Sequence, residues 1–219
     1  MGLRLPPAVA YVAPFAVFIA LRWLPFPPEW LAPVRFMAVA ATLAVFSRSV
    51  IPRRAAFPVG SMLLGAAVLA IWIGPEFLWP GYRDFRPFHN AVTGVARSTL
   101  PAYLKSNAGF IAVRVLESTI LVPIIEELFW RGWLMRWAIR SDFESVPVGK
   151  YTAFSFWAVA LLFASEHGPY WDVGLIAGVA YNWWCVRTRN LADCMLAHAV
   201  TNALLAVYVL RFDQWQYWL

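Results

Sequence analysis

Apolar residues dominate this chain in long runs, and polar residues collect between the runs. The first run, Ala8 to Leu24, follows Arg4 and ends in Arg22, Trp23 and a series of prolines, Pro25, Pro27 and Pro28. It has no small-x-small cleavage site, so it reads as a retained helix and not as a secretory leader. A second run spans Leu31 to Phe46 and is closed by Arg48, Pro52, Arg53 and Arg54; a third spans Val59 to Ile73. Further runs cover Gly109 to Leu134, Tyr151 to Glu166 and Val173 to Val186. A last one follows Arg187 and Arg189, with Asn190 or Asp193 as its cap, and continues to Leu210. Several are short against the roughly 20 residues that cross a hydrocarbon core, and flanking Trp and Arg side chains extend the fit. Between the third and fourth runs, Phe85, Phe88, Val92, Val95, Thr99 and Tyr103 recur at steps of three and four. Arg83, Arg86, His89, Asn90 and Arg97 fall elsewhere on that wheel, so residues 75 to 108 are expected to hold an amphipathic helix lying in the interface.

Composition turns these runs into membrane spans. Of 219 residues 61% are hydrophobic and 14% charged, where a soluble domain is nearer half and a quarter. The expected fold is an all-α polytopic transmembrane bundle of about seven spans, six to eight, plus the interfacial helix, forming one integral membrane domain over residues 1–219. The formal charge is +6, and the basic residues sit at the ends of apolar runs. That placement suits cytoplasmic loops and anionic lipid headgroups, and no basic tract interleaved with exposed aromatics points to nucleic acid. Comparing alternate loops for Arg and Lys places the amino terminus in the cytoplasm, against Arg83, Arg86, Arg97 and Lys105 on the other side. Cys185 and Cys194 lack a metal-type spacing and are read as packing residues.

Within the apolar runs a few polar residues stand out. Glu126, Glu127 and Arg131 lie in the sequence LVPIIEELFWRGWLM, Leu121 to Met135. On a helix Glu127 and Arg131 share a face, while Glu126 is rotated about 100° away and is free to act elsewhere. In the same run Arg114 and Glu117 are three apart and are expected to pair with each other. Two more clusters follow on separate helices: Phe163 with His167, and His198 with Asn202. Ionisable residues at membrane depth cost several kcal/mol or so, and are kept where they face a cavity or a partner. Two histidines, an asparagine and two glutamates hold the donors and acceptors of amide hydrolysis. A Glu deprotonates water, one His orients it or protonates the leaving amine, and a second His with an Asn donates to the oxyanion. Taken singly, each has an ordinary structural reading as an ion pair, a helix cap or an interhelical hydrogen bond.

Together these residues resemble the CPBP or Abi family of intramembrane proteases, which includes the CAAX prenyl endopeptidases. The family signature is Glu-Glu-x-x-x-Arg, Phe-x-x-x-His and His-x-x-x-Asn on three successive motif helices, found here as Glu126-Glu127 to Arg131, Phe163 to His167 and His198 to Asn202. The resemblance covers residues 109 to 210. Length and overall character are also similar to the short CAAX-protease-related proteins associated with bacterial exosortase systems. The resemblance implies a glutamate-dependent endopeptidase in a bacterial inner membrane, acting on a membrane-tethered protein or peptide. In that reading Glu126 activates water with His167, His198 and Asn202 stabilise the oxyanion, and Glu127 and Arg131 support the site. Metal involvement is left open: Glu126, His167 and His198 match a catalytic zinc set in kind, but there is no His-Glu-x-x-His. The alternative is a non-catalytic membrane scaffold or immunity-type protein binding a peptide in the same pocket. A transporter is disfavoured because the polar clusters all lie in one half of the chain.

Overall fold

A computed structural model describes residues 5–218, which form a helical bundle. The helices are α1 (Val9–Arg22), α2 (Pro28–Ser47), α3 (Pro58–Leu78), a short α4 (Ala102–Lys105), α5 (Ala108–Trp137), α6 (Ala153–Ser165), α7 (Trp171–Thr188) and α8 (Leu191–Phe212). Four of them, α2, α3, α5 and α8, are long and apolar enough to cross a membrane; α1 and α6 are shorter apolar helices. Large apolar side chains such as Trp30, Met37, Leu63, Phe77, Phe154 and Val207 point outwards, as they do when the surrounding solvent is lipid.

The helix boundaries arise from local chemistry. Pro28 and Pro58 open α2 and α3 at positions where the missing N–H costs nothing. Side chains cap three others: Asn107 accepts from the Phe110 N–H, Thr152 from Ser155 and Asn190 from Ala192. Asp193, the other candidate cap, does something different. Its carboxylate accepts from the Ala56 and Phe57 N–H groups and the Ser61 hydroxyl, and so ties the α2–α3 connection to the start of α8.

Close approaches between passes occur where a small residue removes the obstruction. A Cβ on Gly65 of α3 would lie 2.4 Å from the Ala197 carbonyl oxygen of α8, and Thr201 donates to the Gly65 carbonyl at 2.9 Å. A Cβ on Gly178 of α7 would lie 3.1 Å from Phe163 and 3.2 Å from the Ala160 carbonyl of α6. Both contacts lie beside residues of the polar clusters, so these small residues set how closely the clusters approach one another.

Helix α5 is not uniform. It widens into π-helical turns at Glu117–Leu121 and Leu128–Leu134, on either side of the regular stretch Val122–Glu127. Pro123 has no N–H to donate, and the first wide turn lies immediately before it. Each wide turn rotates the residues after it relative to an ordinary helix, so the two glutamates are aimed by the turn before them.

Two sequence expectations are corrected here. The interfacial amphipathic helix over residues 75–108 does not form: α3 runs on to Leu78, and the chain then proceeds through tight turns to α4. A 3-10 turn covers Tyr82–Asp84, and Asn90 pairs with Gly94 in a reversal. Pro80, Pro87 and Pro101 interrupt the segment, and Gly81 and Gly94 take φ of 86° and 80°, values no helix interior accepts. Arg83, expected on the polar face, is buried instead. Its guanidinium binds Asp172 and the Pro169 carbonyl and lies against the rings of Tyr82, Phe88 and Tyr170. The second correction concerns Glu117, whose partner is Arg35 of α2 and not Arg114. The Arg35 Nε and Nη2 donate to its two oxygens at 2.7 and 2.5 Å. A planar guanidinium facing a carboxylate end-on makes two bonds, which a neighbour three residues away on the same helix does not match.

Candidate active site

Glu126 and Glu127 follow each other on α5 and meet different surroundings. Glu127 is fully buried, and its Oε1 accepts from Arg131 Nη1 at 3.0 Å and from His198 Nδ1 at 3.0 Å. Arg131 is also fully buried. It donates from Nε to Asn182 Oδ1 at 2.8 Å and from Nη2 to the Gly178 carbonyl, and lies 4.7 Å over the Phe163 ring. Asn182 in turn donates to the Phe156 carbonyl at 2.8 Å. One guanidinium therefore links α5 to α7, and through Asn182 to α6, while Glu127 extends the network to α8. A buried charge is tolerated when its donors and acceptors are satisfied in this way.

Glu127 Oε2 is nevertheless buried without a hydrogen-bond partner among the described residues, and Glu126 differs from Glu127 in facing open space and in having no hydrogen bond to either oxygen. Glu126 Oε2 is likewise buried with no hydrogen-bond partner among the described residues, and the side chain lines a cavity of about 360 Å³. His167, His198 and Asn202 line the same cavity, whereas Glu127 and Arg131 lie behind its wall. The structure thus gathers four of the six sequence-selected residues around one space and uses the other two to support it.

The ring nitrogens can be assigned from their partners. His167 Nδ1 is 2.7 Å from the Phe163 carbonyl oxygen, which only accepts, so Nδ1 carries the proton and Nε2 is left as an acceptor. The four-residue spacing of Phe163 and His167 is that contact, a last-turn bond at the end of α6. A Cβ on Gly174 would meet the His167 ring at 3.3 Å, and Trp72 of α3 meets it edge-on at 5.1 Å. In His198 the Nδ1 faces the Glu127 carboxylate, and the ring stacks on Tyr181 at 5.1 Å. Tyr181 donates to Thr201 at 2.7 Å, so the stacking partner is itself held. Asn202 donates from Nδ2 to the Ser118 carbonyl at 2.8 Å, which leaves its second amide hydrogen uncommitted.

Sequence reading missed several participants. Asn182 fixes Arg131, and its signal was a lone amide in an apolar run. Glu166, which precedes His167, lines the cavity as a further acid beside Glu126 and Glu117. Tyr170 and Tyr217 close one end of it, with rings 5.3 Å apart; burial pushes both phenols up, so they enter the cavity as neutral hydroxyls. Cys185 and Cys194 are buried free thiols away from this wall. Among the described residues no three His, Cys, Asp or Glu side chains stand close enough to hold a metal ion. Glu126, His167 and His198 share the cavity but do not form a zinc ligand set in this arrangement.

Residues 108–204 match the family model described as type II CAAX prenyl endopeptidase Rce1-like. The matched stretch begins with α5, includes α6 and α7, and ends within α8, so it contains all six motif residues. No curated protein and no solved structure matches the chain. The match falls on the helices whose Glu-Glu-x-x-x-Arg, Phe-x-x-x-His and His-x-x-x-Asn spacings resemble the CPBP and Abi proteases, and the apolar passes make this an integral membrane protein. Residues 108–204 are thus similar to the Rce1-like type II CAAX prenyl endopeptidases.

Proposed function

We propose that this protein hydrolyses a peptide bond of a membrane-associated protein or peptide, with Glu126 as the group that activates water. The observation that carries the reading is the buried, unpartnered Glu126 Oε2 in a cavity that also presents His167, His198 and Asn202. A carboxylate in that position can bind a water and take its proton, while His167 Nε2 accepts the water's other hydrogen. The resulting hydroxide adds to the scissile carbonyl carbon, and the carbonyl oxygen becomes an oxyanion. The free amide hydrogen of Asn202 is a donor to that oxygen. His198 donates from Nε2 only when both ring nitrogens are protonated, and the Glu127 carboxylate at 3.0 Å is the counter-charge for that form. When the tetrahedral species collapses, the C–N bond breaks and the proton on Glu126 passes to the departing amine. Each step uses a group already in the cavity wall, and none is routed through a metal.

The experiment is incubation of the purified protein in lipid nanodiscs with membrane-tethered peptides, followed by mass spectrometry of the products. Two fragments whose masses sum to substrate plus one water support hydrolysis. Saturable binding of peptide with no fragment under any condition supports the non-catalytic scaffold instead.

A further inference from the structure

A smaller slot of about 180 Å³, part cationic and part apolar in its lining, adjoins the catalytic cavity, and the two share Phe18, Arg22, Arg114 and Trp218 as a common wall. Beyond these the slot is lined by Leu31, Ala32, Leu100 and Phe110, with Arg35 as its third cation. No acidic side chain lines it. Arg35 is neutralised from behind, because both oxygens of Glu117 are taken by its guanidinium. Arg22 and Arg114 have no ion-pair partner among the described residues; Arg114 lies 5.7 Å over the Trp218 ring, and Arg22 is exposed at the end of α1. The neighbouring cavity is lined by three acids, Glu117, Glu126 and Glu166, and none of them forms an ion pair with Arg22 or Arg114.

Two guanidiniums without an ion-pair partner, in a slot whose other walls carry Phe18, Leu31, Leu100 and Phe110, match an amphiphile with an anionic head and a hydrocarbon tail. Arg22 ends α1 beside the exposed Trp23, Phe26 and Trp30, side chains of the kind that meet lipid headgroups, and Arg114 lies nearly two turns into α5. A peptide carboxylate would use the charge but leave the slot empty. We propose that Arg22 and Arg114 bind the phosphate of an anionic membrane phospholipid, with one acyl chain entering the slot between α1, α2 and α5. Because its wall is shared with the catalytic cavity, the bound lipid forms one side of the space a substrate enters.

The test is native mass spectrometry of the full chain carrying Glu126→Gln, released from nanodiscs of equal phosphatidylglycerol and phosphatidylcholine. Binding is read without turnover, so its failure leaves the protease reading untouched, and failure of that reading leaves this one standing. Phosphatidylglycerol should be retained over phosphatidylcholine, and Arg22→Gln or Arg114→Gln should each lower that preference about fivefold, the effect of roughly one cation near a headgroup. Arg22 is exposed, so its variant tests the site even where Arg114→Gln fails to fold. Arg22→Lys should keep most of the preference. Equal retention of the two lipids, or a preference unchanged in Arg22→Gln, overturns the proposal. Displacement of the lipid by millimolar inorganic phosphate would mean that the anion alone is bound and the slot plays no part. Competition by a free-carboxylate peptide but not its amide would assign the arginines to substrate instead.

Discussion

At the scale of single residues, adjacent glutamates acquire different roles because a helix turns by about 100° per residue. Glu127 is committed to Arg131 and His198, and Glu126 is left with an unpartnered oxygen in the cavity. Arg131→Ala should therefore lower folded yield, since Glu127 would keep a buried charge without its cation, a loss of about 3 kcal/mol. Asn182→Ala should act in the same direction by about 2 kcal/mol, the value of a hydrogen bond to a charged group. Both are read as shifts in thermal unfolding in a fixed detergent or nanodisc. Asn202→Ala should cut turnover by about a hundredfold with little change in peptide affinity, because its donor acts on charge that develops only in the transition state. A parallel loss of affinity measured in the Glu126→Gln background would make Asn202 a ground-state contact. The clusters were legible in sequence because their members are four or five apart in an otherwise apolar chain. Asn182 was not, since its partner is 51 residues away and a lone amide in an apolar run does not say what it binds. The Arg114–Glu117 pairing misread Glu117 for the same reason: its partner, Arg35, is 82 residues distant.

Among the elements, α5 departs furthest from regular helix geometry. Two wide turns flank the glutamates, and Pro123 lies between them. Spacing alone placed the span at Gly109 to Leu134 but gave no sign of where its turns widen. The tight contact of α3 with α8 at Gly65 was equally invisible, since a glycine in an apolar run has many readings. Gly65→Ala should destabilise the protein by about 1–3 kcal/mol, because the new methyl group meets the Ala197 carbonyl oxygen and the stiff β-branched side chain of Val200. An unchanged unfolding temperature in that variant would show that α3 and α8 can separate freely. The expected interfacial helix failed for a physical reason. Apolar residues at steps of three and four also fit successive turns, and Pro80, Gly81, Pro87, Gly94 and Pro101 outweigh that periodicity.

For the molecule as a whole, passes from different parts of the chain converge on one cavity. Glu126 comes from α5, His167 from the turn after α6, and His198 and Asn202 from α8. Connections at one end of the bundle help to close it: Tyr170 donates to the Gln216 carbonyl, and Arg83 ties the segment after α3 to Asp172 at the start of α7. The helical class and the membrane bundle were legible because apolar runs separated by charged loops leave few alternatives in a bilayer. A shared pocket for the three clusters was expected from their joint appearance, but the distances within it were not legible, because depth along separate helices says nothing of how those helices lean. The central claim is that Glu126 supplies the base, and the most direct measurement compares cleavage of a membrane-tethered peptide by wild type and Glu126→Gln at equal folded concentration. Glutamine keeps the shape but cannot take a proton from water, so hydrolysis should fall to background while the unfolding temperature is retained. Wild-type turnover in Glu126→Gln would contradict the account.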